Sequence, residues 1–318
     1  MGANNRAPED AGGRRRTPKA SRIVSLLPSA TEIVCALGLG DWLVGISHSC
    51  DYPVEVMDRP RLSRPRCDLD GLASGEIDTA VRTALRNHGS VYELDLAGIA
   101  AAAPDLVITQ GICDVCAVPE HQAVAALAQL PSAPRVLTLD AHDLAAITAG
   151  IRAVGEATGA ERQAEERASS LEQRIMTVRA RVPGRPRPRV LALEWLDPAY
   201  VPGHWVPEMI DAAGGDLVAG IARRPSSRME WDELAAFDPD VLLVMPCGMG
   251  LEAARREAES QRGRLQQVAG RAIACGRAYV VDASSYFSRS GPRVADGVEI
   301  LAALLYSRNT ENLVRGMV

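Results

Sequence analysis

Short apolar runs alternate with stretches of helical period along most of the chain. Ile23–Leu27, Leu43–Ser47, Leu106–Gln110, Arg135–Leu139 and Arg189–Leu193 have the length and branched content of strands buried in a parallel sheet. Pro28–Glu32 reads as a turn and helix cap, followed by a helix over Ile33–Leu37 that Gly38 stops. Further helices are predicted over Glu76–Asn87, Leu96–Ala103, Leu144–Ala157, Ala160–Arg181 and Glu208–Asp211. Alternation of this kind predicts an α/β fold built around parallel sheets.

The plan occurs twice. Pro104-Asp105 opens one apolar strand and Pro239-Asp240 opens another, Val241–Val244, at the corresponding place in the second half. Residues 1–20 are charged and aperiodic and read as a disordered tail, 21–140 as an N-terminal lobe, 141–186 as connector helices and 187–318 as a C-terminal lobe. The helix predicted over Ala160–Arg181 would be about 33 Å long at ~1.5 Å per residue, a lobe-to-lobe distance. Val182–Pro188, with three prolines, stops it.

Size and charge narrow the function. With 318 residues, 47% of them hydrophobic, the chain can fill two cores. A net charge of −5 leaves no electrostatic footprint for nucleic acid. No run approaches the roughly 18–20 apolar residues of a membrane span. Arg14-Arg15-Arg16 is followed by Thr17–Ser21 rather than by an apolar signal core, and Arg6 stands where a myristoylated Gly2 would need Ser or Thr. As written the chain is expected in the cytoplasm, and in the periplasm or at the cell surface if a leader has been removed. Seven cysteines, an odd number in a chain too large to need disulfides, fit reduced thiols.

Candidate chemistry collects where strands end. Glu194–Glu208 follows a predicted strand and carries Trp195, His204 and Trp205, and ligands in open α/β sheets lie beyond the carboxyl ends of strands. The bland alternative is that both tryptophans pack and that His204 only opens a helix. His48, Cys50, Cys113, Cys116 and Cys247 also end strands; zinc, iron or an iron–sulfur cluster suits such a set, as does a redox CxxC pair. Cys35 and Cys275 read as packing residues, and His88, His121 and His142 as surface residues. Ala222–Arg228 is either an anion-contacting or a solvated loop, and Ser288–Arg293 can present Arg289 to an anionic group. Neither Gly-x-Gly-x-x-Gly after the first strand nor Gly-x-Ser-x-Gly occurs, which disfavours a dinucleotide-dependent dehydrogenase or an ordinary hydrolase.

Arg22–Glu32, the Pro-Asp strands, the long connector helix and Ala278–Asp282 together resemble the class III substrate-binding proteins of ABC importers for cobalamin and ferric siderophores, nearest the vitamin B12 branch. The likeness covers about Arg22 to Tyr306. It implies two Rossmann-like lobes with mostly parallel sheets, joined by a single long connector helix, with a ligand cleft between lobes and no catalysis. It implies cobalamin or a similar corrinoid as ligand, and an ABC permease as partner. The cleft wall it suggests has Pro28, Ser29, Tyr52 and Gln110 on one side, with Trp195, His204, Trp205 and Arg289 on the other. The competing expectation is a cytoplasmic metal or iron–sulfur protein, possibly a redox enzyme, built on Cys50, Cys113, Cys116 and Cys247.

Overall fold

A computed structural model describes residues 20–306 except 70, 113–119, 132, 183 and 185. The first lobe runs β1 (Ile23–Ser25), α1 (Pro28–Ala36), β2 (Leu43–Ile46), β3 (Ser63–Pro65), α2 (Ser74–His88), β4 (Tyr92–Leu94), α3 (Leu96–Ala102), β5 (Leu106–Gln110), α4 (Glu120–Leu127) and β6 (Arg135–Leu139). Two helices follow, α5 (Leu144–Thr158) and α6 (Glu161–Ala180). The second lobe runs β7 (Arg189–Leu193), β8 (Trp195–Leu196), β9 (Ala199–Val201), α7 (Val206–Ala212), β10 (Asp216–Leu217), β11 (Ser227–Arg228), α8 (Trp231–Ala235) and β12 (Val241–Val244). It ends with α9 (Leu251–Ser260), α10 (Arg262–Ala274), β13 (Ala278–Val280), α11 (Ala283–Tyr286) and α12 (Val294–Tyr306).

Each lobe holds a four-stranded sheet, ordered β2-β1-β5-β6 and β10-β7-β12-β13, with every pairing parallel. The two orders correspond strand for strand, so the Pro-Asp strands β5 and β12 lie beside the first strand of their lobe. The sheets are covered on both faces. Along β7, Val190 and Ala192 enter one core while Leu191 and Leu193 enter another, the period of two that a strand imposes. Burying each of the valine and leucine side chains among these stabilises by about 1.5–3 kcal/mol.

Helix α1 begins at Pro28, five residues before the predicted start at Ile33. Proline at the first helical turn loses no hydrogen bond, and Ser29, Ala30, Thr31 and Glu32 are all buried helix residues there instead of forming a turn and cap. The segment after β7 also departs from the predicted aromatic turn. Trp195 pairs with Tyr200 in the antiparallel ribbon β8–β9, to which β11 adds a third strand.

Gly159, left-handed at φ 79°, ends α5 and lets α6 fold back on it. Arg152 then clasps Glu165 and Glu172. Arg174 of α6 reaches Asp296 and Glu299 of α12, so the long helix is fastened to the second lobe. One continuous core gathers side chains from α1, α5, α6, α7 and α12, and so belongs to both lobes.

Candidate functional site

The loops beyond the carboxyl ends of the two sheets face each other and, among the described residues, meet at three places. At the first, Glu32 of α1 accepts from two arginines of the other lobe: Arg293 through Nε at 2.9 Å and Nη2 at 2.6 Å, and Arg289 through Nη1 at 3.1 Å. Arg289 also forks onto Asp51, at 2.6 and 2.9 Å. Burial works to raise the Asp51 pKa, but the hydrogen bonds and charge of Arg289 outweigh it and hold the carboxyl below its ordinary value. The Arg293 guanidinium lies 4.5 Å from the ring centroid of Tyr52, a cation–π contact, and Tyr52 is 49% exposed.

At the second place the start of α2 meets the second lobe. Trp195 donates from Nε1 to the Ser74 carbonyl at 3.2 Å, and the Ser74 hydroxyl donates to Glu257 of α9. A side chain on Gly75 would press on the Asp197 carboxylate. At the third, His142 Nδ1 lies 3.3 Å from His204 Nδ1, and His142 Nε2 lies 2.9 Å from Asp140. Beside them Arg223 bridges Asp143 and Glu208, each at 3.1 Å, and the Leu144 amide donates to Glu208 at 3.1 Å.

His204 sits on a tight turn. Its φ is +50°, and its amide donates to the Arg224 carbonyl at 2.7 Å. Gly203 must be glycine there, because a Cβ would run into that same carbonyl. Trp205 is turned inward: it is 7% exposed and donates from Nε1 to the Phe287 carbonyl at 2.9 Å, which makes it a packing residue. Pro28 is half-buried, Ser29 is buried against Gly291 of the other lobe, and Gln110 ends β5 half-buried.

The arginines of this region hold the protein's own carboxylates. Arg289 was expected to face an anionic ligand group, and Arg223 belongs to a loop read as anion-contacting or solvated; Glu32, Asp51, Asp143 and Glu208 fill those roles. Glu32, Asp51 and Arg293 were not singled out from sequence, and His142, read there as a surface residue, is half-buried against His204. Their partners lie too far along the chain for spacing to reveal them, and the one available hint is the four-residue interval between Arg289 and Arg293.

The proposed metal ligands are scattered in character. Cys50 is buried, and its sulfur lies 3.1 Å from the Thr31 hydroxyl. Burial pushes its pKa up, against the opposing Thr31 hydrogen bond, and a metal binds the thiolate. His48 is half-buried, with Nδ1 2.9 Å from the Ser63 hydroxyl and its ring against Tyr92. The Cys247 amide donates to the Glu194 carbonyl. Cys113 and Cys116 lie outside the described residues. Among the described residues no group of three or more His, Cys, Asp or Glu side chains is placed to hold a metal ion, and no helix is long and apolar enough to cross a membrane.

Two parallel-sheet lobes on a helical connector, meeting through the loops at their strand ends, define a class of binding proteins. The chain belongs to the periplasmic binding protein family, whose sequence profile matches residues 23–274, and is a substrate-binding protein of the ABC-importer type. An uncharacterized ABC transporter substrate-binding lipoprotein of Bacillus subtilis, YvrC, is 26% identical over 305 residues, covering 92% of this chain and 81% of that one. The periplasmic haem-binding protein RhuT from Roseiflexus sp. RS-1 superposes with a TM-score of 0.66 at 27% identity, covering 90% of this chain and 98% of the other. The periplasmic vitamin B12 binding protein BtuF of Vibrio cholerae shares the fold, with a TM-score of 0.66 at 20% identity and coverage of 90% and 96%. None of these similarities supports the iron–sulfur reading.

Proposed function

We propose that the protein captures a flat metal chelate, a cobalamin-like corrinoid in the first instance, between its lobes and delivers it to a membrane permease. The observation that carries this reading is Tyr52: an exposed aromatic face at the lobe junction, backed by Arg293, which Glu32 holds in place. Such a platform offers a macrocycle a flat surface fixed before the ligand arrives. The nearby guanidinium charges are already matched by carboxylates, which favours an uncharged ring face over an anionic chelate. Trp195, half-buried at the Ser74 contact, supplies a second ring on the opposite lobe. Similarity to a lipoprotein and to periplasmic proteins supports a location outside the cytoplasmic membrane, the alternative that sequence reading attached to a removed leader.

Titration with hydroxocobalamin and, separately, with haemin, followed by visible absorbance, tests the proposal. A saturable one-to-one shift with hydroxocobalamin supports the corrinoid reading. Saturation by haemin alone keeps the flat chelate and overturns the corrinoid. No shift with either sinks the proposal.

A further inference from the structure

Asp140, His142 and His204 form a chain of polar atoms that crosses from one lobe to the other just beyond β6. Asp140 Oδ1 is 2.9 Å from His142 Nε2, and His142 Nδ1 is 3.3 Å from His204 Nδ1. The ring centroids are 5.4 Å apart, well beyond the nitrogen separation, so the imidazoles meet through their Nδ1 edges rather than face to face.

Donor and acceptor accounting then sets the tautomers. A carboxylate only accepts, so a neutral His142 carries its proton on Nε2 and keeps a lone pair on Nδ1. The contact between the two Nδ1 atoms is a hydrogen bond only if His204 carries its proton on Nδ1. We infer that this chain is a proton-gated latch between the lobes, closed while His142 Nδ1 holds its lone pair and opened when both rings become imidazolium. One added proton settles on His204 Nε2 and leaves the bond in place. A second lands on His142 Nδ1, removes the acceptor and sets two N–H groups against each other.

The surroundings bear on where this happens. Burial, then the neighbouring His142, holds the His204 pKa below its ordinary value of 6.5, with Asp140 opposing. The other charged groups facing the cluster are Glu120, whose carboxylate shares the space over Gly111 with that of Asp140, and the Asp143–Arg223–Glu208 set. Asp143 and Glu208 are paired with Arg223, and Glu120 accepts from the Thr138 hydroxyl at 2.7 Å. The turn bearing His204, at φ +50°, is also tied through its backbone, the His204 amide donating to the Arg224 carbonyl and the Arg223 amide to the His204 carbonyl.

Two measurements on the full chain decide the matter. Imidazole nitrogen NMR at about pH 7.5 is expected to show His142 protonated on Nε2 and His204 on Nδ1. Hydrogen exchange over residues 203–208, divided by the intrinsic rate, should rise about fivefold between about pH 7.5 and pH 5.5, the change corresponding to one lost hydrogen bond. His204→Asn tolerates the positive φ and carries no titrating ring, so its exchange should lose that pH response. His204 found with its proton on Nε2, or the same response in His204→Asn, overturns the latch. If the variant does not fold, the tautomers of the unaltered protein settle the question alone.

Discussion

Glu32 and Arg293 meet across the lobe junction in a two-pronged contact, Nε on Oε2 at 2.9 Å and Nη2 on Oε1 at 2.6 Å. The carboxylate is 3% exposed and lies within the N-terminal lobe, whereas both arginines that hold it come from the other. Removing the acid strands the largely buried Arg293 and leaves Arg289 with Asp51 alone. Glu32→Gln is therefore expected to destabilise the fold by about 3–5 kcal/mol, read as a drop in the denaturant midpoint. An unchanged midpoint would mean that the arginines find other partners.

Tyr52 is exposed, so little folding energy depends on it. Tyr52→Ala should leave the melting temperature nearly unchanged while weakening binding of the chelate found by titration by about tenfold, the effect of losing one well-placed aromatic face. Equal affinity in the variant would remove Tyr52 from the site.

Asp105 and Asp240 perform the same task in the two lobes. Asp105 accepts from the amides of Ser21 and Arg22 at 2.9 and 3.1 Å, and Asp240 from the amide of Arg189 at 2.8 Å. Asp105→Ala and Asp240→Ala should each cost about 1.5–3 kcal/mol, the range for hydrogen bonds to a charged acceptor. Chemical denaturation of the two variants side by side checks both the size and the correspondence.

Acid should weaken the fold through two histidines. Burial and then Arg61 lower the His48 pKa, and burial and then His142 lower that of His204. A base whose folded pKa is depressed binds fewer protons than the unfolded chain. Its contribution is complete above the ordinary value of 6.5 and declines as pH falls through the folded value. Denaturation midpoints at about pH 7.5 and pH 5.5 should differ, and His48→Gln should narrow the difference. A midpoint that rises on acidification would contradict this.

Much of the scaffold is legible in the chain. Arg135–Leu139 and Arg189–Leu193 form strands with the predicted bounds, and the connector breaks at Gly159, because apolar runs and glycine act locally. Strands of two or three residues such as β3, β4, β8 and β11 carry no such signal, since each exists only through its partner. The site divides in the same way. Tyr52 and Trp195 could be placed near strand ends, but Glu32 lies 257 residues from Arg289, and His142 lies 62 from His204. The CxxC motif drew attention to metal chemistry, while the Cys50 thiol bonds to Thr31, on a helix whose start was read as a turn.

The connector also has a consequence for how the molecule is made. Among the described residues every strand of the first lobe precedes α5 and every strand of the second follows α6, so the described strands of the first sheet are all present once Leu139 has been synthesised. Lobes of this kind fold as units in the order of synthesis. Glu32, however, receives its arginines only from residues 289 and 293. The acid that fastens the lobes is among the first residues of the fold to leave the ribosome, and it waits for nearly the whole chain before it is neutralised.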